Sequence, residues 1–269
     1  MTKGTKRASP GAEEEKNPLN VELSEEDAKK LEGIQREQAK MDLFIERETQ
    51  SKMYPVYEKR RAIVKTIPNF WPVALLNHGM VAFHAQHNAD QTALSYLEDL
   101  WVTRDPQDHR CFTLEFHFKE NQFFSNTVLK KEYKYAPPAS AADDKPDENG
   151  ITDAMLDFAW GEHVKITGTK IDWKSEDKAL TKSYPRESGD EDDELPAEAG
   201  SFFNFFEHDD DPFDIGPAIG NEVFPDAISY FLGNVDSDSE IDSEEEEEDD
   251  DDDAEEIDLE KPRPKKQKV

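Results

Sequence analysis

Between Ser24 and Thr66 the chain has one glycine, Gly33, and one proline, Pro55, and its apolar residues recur at Leu31, Ile34, Met41 and Ile45, with Gln38 filling the fifth place of the series. Steps of three and four residues keep a narrow band on one face of an α-helix apolar, which is the seam of a coiled coil. Met53, Val56, Tyr57, Ile63, Val64 and Ile67 continue the stripe less regularly. Ser24, three residues before Asp27, is an approximate capping box and marks the helix start. A helix over 24–66 would be roughly 65 Å long at about 1.5 Å per residue, more than a small domain covers. The stripe therefore needs a partner, and a second copy of the chain is the simplest one. A solvated helix lying along its own domain is the alternative; the narrow band with charged flanks favours dimerisation. Pro55 removes one hydrogen bond and should kink the helix without ending it, because helix formers resume after it.

Pro68 ends this helix. Asn69-Phe70-Trp71-Pro72 predicts a short apolar helix from Val73 to about Met80, and Asp90–Leu97 a brief helix or turn. Three strand-like stretches follow, Leu97–Thr103, Cys111–Lys119 and Ser125–Tyr135. In the second, Phe112, Leu114, Phe116 and Phe118 share one face and Thr113, Glu115 and His117 the other; in the third, Thr127, Leu129, Lys131, Tyr133 and Tyr135 alternate. Period-two alternation with turns at Asp105–Asp108 and Glu120-Asn121 predicts an antiparallel meander with one wet face. Val164–Trp173 reads as a fourth strand, Ser201–Phe206 as a strongly apolar helix start, and Glu222–Leu232 as a final helix. The fold class is α+β: a long dimerisation helix, then a lobe of a four-stranded antiparallel sheet with short helices. The division is a disordered arm at 1–23, the helix at 24–67, an α+β lobe at 68–235 with flexible loops near 136–150 and 183–200, a disordered acidic tail at 236–260, and a basic ending at 261–269.

Charge supports the outer parts of this division. The chain carries 63 Asp+Glu against 32 Lys+Arg, a net −31. Residues 236–260 hold 18 acids and no Lys or Arg, and 261–269 hold five bases, so 1–235 still carry −18. An acidic body with an acidic tail repels bare nucleic acid and attracts basic proteins. Cys111 is the only cysteine, which rules out a disulfide within the chain and fits a reducing compartment. No apolar run approaches the ~18 residues a membrane span needs. The N-terminal MTKGTKRASPGAEEEK lacks the apolar core of a signal peptide, so a soluble intracellular protein is expected.

Several blocks resemble the nucleosome assembly protein family, in its SET branch. Lys65-Thr66-Ile67-Pro68-Asn69-Phe70-Trp71 is similar to the family's junction of helix and domain, and Asn77-His78 follows as in SET members. Phe116-His117-Phe118-Lys119-Glu120-Asn121-Gln122-Phe123-Phe124-Ser125-Asn126 resembles its strand-turn-strand, continued by Val128-Leu129-Lys130-Lys131-Glu132-Tyr133. Asp172-Trp173-Lys174, Leu180-Thr181-Lys182 and Ser201-Phe202-Phe203-Asn204-Phe205-Phe206 are similar to later blocks. Order and spacing carry the resemblance, over about residues 24–232. The chain departs from the pattern in a longer 136–163, where Ile151–Trp160 has no counterpart, and in a basic ending. The resemblance implies an antiparallel dimer of long helices, with two lobes around a concave acidic underside. It also implies a histone chaperone assisting nucleosome assembly and disassembly, with core histones as partners. The other function it implies is a regulatory inhibitor or cofactor that masks histones from, or binds, an acetyltransferase or phosphatase.

The residues expected to carry these roles are specific. Leu31, Ile34, Gln38, Met41 and Ile45 would form the dimer interface. Asp172, Glu176, Asp177, Glu207, Asp209 and Asp210 on the lobe, with Glu244, Glu245, Glu246, Asp249 and Asp250 in the tail, would bind histones. Each exposed charge pair contributes only ~0–1 kcal/mol, so many are needed, and binding should be salt-sensitive. Ser237, Ser239 and Ser243 stand in acidic context as candidate phosphorylation sites. Lys261, Arg263, Lys265, Lys266 and Lys268 resemble a nuclear import signal, so a nuclear protein shuttling with the cytoplasm is expected. No membrane and no sequence-specific nucleic acid is expected as a partner. Enzyme readings are weak: His78, His84 and His87 lack a zinc motif around them, and there is no P-loop, dinucleotide fingerprint or nucleophile signature. No cofactor is expected.

Overall fold

A computed structural model describes residues 23–138, 141, 144–187 and 199–235. Helix α1 spans Glu25–Val64 and runs through Pro55. Ser24 caps it, its Oγ accepting the Asp27 N–H at 3.1 Å, and Glu25, Glu26 and Asp27 put negative charge at the positive end of the helix dipole. The lobe-facing side of its last turns carries Tyr57, Arg60 and Val64, all buried. The Arg60 guanidinium lies among the rings of Tyr57, Trp71 and Phe224 at 4.8, 5.6 and 4.7 Å. Burial there pushes its pKa down to about 10. Arg61 is tied to the buried Asp99 of the first strand.

Helices α2 (Phe70–Leu76) and α3 (Gly79–His84) replace the single helix expected over Val73–Met80. Asn69 is left-handed (φ 56°), which lets α2 begin at Phe70, with Pro72 in the first turn where its missing N–H costs nothing. His78 is extended, and the Asn77 side chain donates to Tyr230 O at 2.7 Å, which separates the two helices. Helix α4 (Asn88–Leu94) leads into β1 (Leu97–Arg104), β2 (Phe112–Phe118) and β3 (Val128–Tyr135). Helices α5 (Asp153–Leu156) and α6 (Trp160–His163) precede β4 (Val164–Thr167). The sheet order is β1-β2-β3-β4, antiparallel throughout, with Leu100 opposite Phe116 and Phe116 opposite Leu129. This is the expected α+β arrangement of a long helix and a four-stranded meander.

The strand ends differ from expectation for local reasons. Cys111 closes the β1–β2 turn instead of joining β2: its N–H donates to Asp108 O and its O accepts from Asp105 N–H. β3 starts at Val128 because Asn121 Oδ1 accepts the N–H groups of Phe123 and Phe124 at 2.9 and 3.0 Å, holding the turn, while Ser125 N–H donates to Asp172 O. β4 stops at Thr167 rather than Trp173, because the next backbone donors go to the segment around Phe206. Past β4 come α7 (Leu180–Ser183), α8 (Asn204–Glu207), α9 (Ile215–Pro217) with a π-helical turn at Ala218–Val223, and α10 (Ala227–Leu232). The final helix begins five residues later than expected, since Pro225 has no N–H to continue the earlier turn.

The core lies between the inner face of the sheet and these helices. Phe112, Leu114, Phe116 and Phe118 of β2 are buried, and so are Phe202, Phe203, Phe205 and Phe206. Phe116 meets Phe206 edge-on at 5.0 Å. The buried Asp90 carboxylate accepts from Ser201 Oγ (2.5 Å) and Phe202 N–H (3.0 Å), anchoring the aromatic run to α4. The Ile151–Trp160 stretch packs on α1. Arg36 pairs with Asp157 at 3.0 Å, Lys40 with Asp153 at 3.3 Å, and Arg47 donates to Asn149 O and Gly150 O. Among the described residues no helix is long and apolar enough to cross a membrane.

Candidate protein-binding surface

The acids singled out on the lobe stand in two stretches, 172–177 and 207–210, far apart in sequence and side by side in space. Backbone donors join them. Gly168 N–H donates to Asp209 Oδ1 (2.8 Å), Thr169 N–H to Phe206 O (2.8 Å) and Ile171 N–H to Glu207 Oε1 (3.3 Å). Gly168 permits the approach, since a Cβ there would stand 1.9 Å from Phe206 O. Asp172, Glu176, Asp177, Glu207, Asp209 and Asp210 are all exposed. A cavity of about 720 Å³ opens between the stretches, walled by Asp172, Glu176 and Glu207 over Ile171, Trp173 and Ala179.

These carboxylates are not equivalent. Glu176 pairs with Lys182. Asp210 is held bidentately by Arg186 at 2.7 and 2.6 Å, and that guanidinium keeps its carboxyl below the usual range. The Ser175 hydroxyl does the same for Asp177. Glu207 and Asp209 each spend one oxygen on a backbone N–H and keep the other. Asp172 is bonded through its backbone to Asn126 and Ser125, and its carboxylate has no partner among the described residues. Lys170, Lys182 and Arg186 share the rim, so the surface is mixed in sign, and Asp172, Glu207 and Asp209 are its acceptors for an incoming cation. Such a surface can hold basic side chains by charge-assisted hydrogen bonds.

Sequence reasoning missed what fixes this surface. Lys131 is fully buried, and its Nζ donates to the carbonyl oxygens of Phe205 (2.6 Å), His208 (2.6 Å) and Asp210 (2.8 Å). Burial pushes its pKa down to about 8. The Asp211 carboxylate accepts from Tyr133 OH at 2.5 Å and from the N–H groups of Ile215 and Gly216. Burial raises both the Asp211 and Tyr133 pKa values. The signal was the position of Lys131 between Leu129 and Tyr133 on the apolar side of the β3 alternation.

On α1, Leu31, Ile34, Gln38, Met41 and Ile45 are exposed, and so are Val56 and Ile63. Ile34 is 61 % and Ile63 64 % exposed, so the described residues of this chain do not cover the stripe. On a helix of about 3.6 residues per turn the seven positions fall within about 80° of arc. Glu244, Glu245, Glu246, Asp249 and Asp250, the serines Ser237, Ser239 and Ser243, and the basic ending Lys261–Lys268 lie outside the described residues. The three histidines point different ways: His78 faces Glu222 at 3.1 Å, the buried His84 packs on Phe213, and His87 stacks on Tyr184.

The profile of the nucleosome assembly protein (NAP) family matches residues 13–234. The chain belongs to that family. It is 30% identical over 229 residues to NAP1-related protein 2 of Arabidopsis thaliana, covering 82% of this chain and 79% of that protein. It is 29% identical over 221 residues to Protein SET of Drosophila melanogaster, covering 78% and 75%. It is also 30% identical over 199 residues to Nucleosome assembly protein 1-like 1 of Xenopus tropicalis, covering 65% of this chain but 47% of that one. The chain thus spans about half the length of its NAP1-like relatives and most of its SET-like ones. Among solved structures, a Ccp1 mutant shares the fold, with TM-score 0.56 and 23% identity over 77% of this chain and 94% of that chain. In this NAP-family chain the Ile151–Trp160 stretch, which had no counterpart in the SET pattern, lies against α1.

Proposed function

We propose that this chain is a histone chaperone. It binds core histones through the acidic edge of the lobe and through its acidic tail, and it assists nucleosome assembly and disassembly in the nucleus as a homodimer. Family membership over 13–234 supports the reading. The observation that carries it is the convergence of 172–177 and 207–210 on one exposed surface. There Asp172, Glu207 and Asp209 keep carboxylate oxygens free for cations. The exposed stripe of α1 supports the dimer. Many weak, screened contacts hold a basic cargo and release it to DNA, because exposed pairs are worth only ~0–1 kcal/mol each and weaken with salt.

The test compares full-length protein, a truncation ending at Val235 and a peptide of 236–269, each titrated calorimetrically with purified histone pairs at two salt concentrations. The truncation should still bind, more weakly and with a shallower salt dependence, because 1–235 retain −18 of the −31 charges. The peptide alone should bind weakly, since ordering a flexible chain offsets part of the attraction. A truncation that shows no histone binding at low salt would exclude the lobe as the binding surface.

A further inference from the structure

A second cleft, of about 360 Å³, lies where the middle of α1 meets the β1–β2 turn. Its wall is rich in donors: Arg47, Ser51 and Tyr54 from α1, and Thr103, Arg104 and His109 from the lobe. On a helix of about 3.6 residues per turn, Arg47, Ser51 and Tyr54 are turned away from Met41, Ile45 and Val56, so pairing of the apolar stripe leaves the cleft accessible.

Two features distinguish this cleft from an ordinary charged surface. Both guanidiniums are bonded only to neutral acceptors among the described residues. Arg47 donates to Asn149 O and Gly150 O, and Arg104 to Asn221 Oδ1 and Gly220 O, each at 2.8 Å. Neither forms an ion pair among the described residues, and Glu46 acts on Arg104 only through space. The second feature is His109, which is only 5% exposed. Its Nε2 faces Glu46 at 3.3 Å, so that carboxylate is engaged by the ring. Among the described residues Asp105 is the one carboxylate on the wall, and its Oδ1 accepts the N–H groups of Gln107 and Asp108.

We propose that this cleft binds a phosphomonoester dianion. Two guanidiniums from different elements and three hydroxyls offer donors from several directions. A tetrahedral group with three acceptor oxygens can satisfy them, whereas a carboxylate presents two oxygens in one plane. The net −18 of residues 1–235 opposes long polyanions, so the ligand is a terminal phosphate and not a nucleic-acid backbone. Arg47 also holds Asn149 and Gly150, which couples the cleft to the segment that packs on α1.

The test titrates the full-length protein with inorganic phosphate, a phosphoserine peptide and adenosine monophosphate, followed by calorimetry and phosphorus NMR. At least one should bind saturably with Kd of about 1 mM or tighter. Binding should weaken about tenfold in Arg47→Gln, which retains an amide for the 149–150 carbonyls, and by a smaller factor in Ser51→Ala. Both variants should keep the wild-type melting temperature. If the peptide binds tightest, the source is a phosphorylated side chain; if the nucleotide does, a nucleotide; equal affinity for all three points to the free anion. Each of these supports the site. No saturable binding of any ligand up to about 10 mM, or equal binding by wild type and both variants, would overturn it.

Discussion

Lys131 Nζ donates to the Asp210 carbonyl at 2.8 Å, so a lysine in the middle of a core strand fixes the backbone of the acidic surface. The same ammonium reaches Phe205 O and His208 O. Lys131→Met keeps the length and loses all three bonds. Each unpaired buried acceptor costs about 1 kcal/mol or more, so the substitution should destabilise the fold by about 3 kcal/mol. Amide exchange in 205–211 should speed up beyond what the global loss explains. Unchanged exchange there would mean that the loop is held by Asp211 alone.

The stripe should hold two chains together. Ile34→Glu with Met41→Glu places charges in its narrow part and should yield monomers in sedimentation at micromolar concentration. Ile63→Glu should weaken the dimer as well, because Ile63 lies on the same face and is 64 % exposed. A wild-type protein that sediments as a monomer would remove the basis for both expectations.

Free and engaged carboxylates should differ in histone binding. Neutralising Asp172 and Glu207 together, as Asp172→Asn and Glu207→Gln, should weaken binding by about five- to thirtyfold, on the order of 0.5–1 kcal/mol per site. Glu176→Gln should matter less, because Lys182 already balances that charge. Calorimetry at low salt measures both, and equal effects would show that the internal ion pair opens on binding.

Cys111 sets a pH signature. Burial pushes its thiol up to about 12, while an unfolded thiol ionises near 9. The folded state therefore retains a proton that the unfolded state releases, and stability falls as pH rises above 9. At pH 10 the loss should be about 1.4 kcal/mol, and it should be absent in Cys111→Ala. Urea denaturation at pH 8 and pH 10 on both proteins tests the difference. A thiol that reacts rapidly with a disulfide reagent in the native protein would contradict its burial.

Much of this arrangement was legible because it rests on local periodicity. The steps at Leu31, Ile34, Gln38, Met41 and Ile45 specify a helix face whatever surrounds it, and Ser24 specifies where the helix starts. Alternation along Phe112–Phe118 puts the phenylalanines on one side of a strand, and that side is the core. The acidic residues were recognisable as a class, since charge counts need no coordinates.

Tertiary structure alone decided which of those residues meet. Asp172 and Glu207 come together because Gly168 lets the chain leave the sheet and lie against Phe206, a close approach between backbones distant in sequence. The destination of the Lys131 amine depends on carbonyls more than seventy positions away. Ile151–Trp160 reads as an unassigned stretch until Asp153 and Asp157 are seen against Lys40 and Arg36. Propensity and hydrophobic period are properties of a few consecutive residues, so they determine elements and faces. Pairing of donors with acceptors, and of charge with countercharge, depends on distances that exist only once those elements have packed.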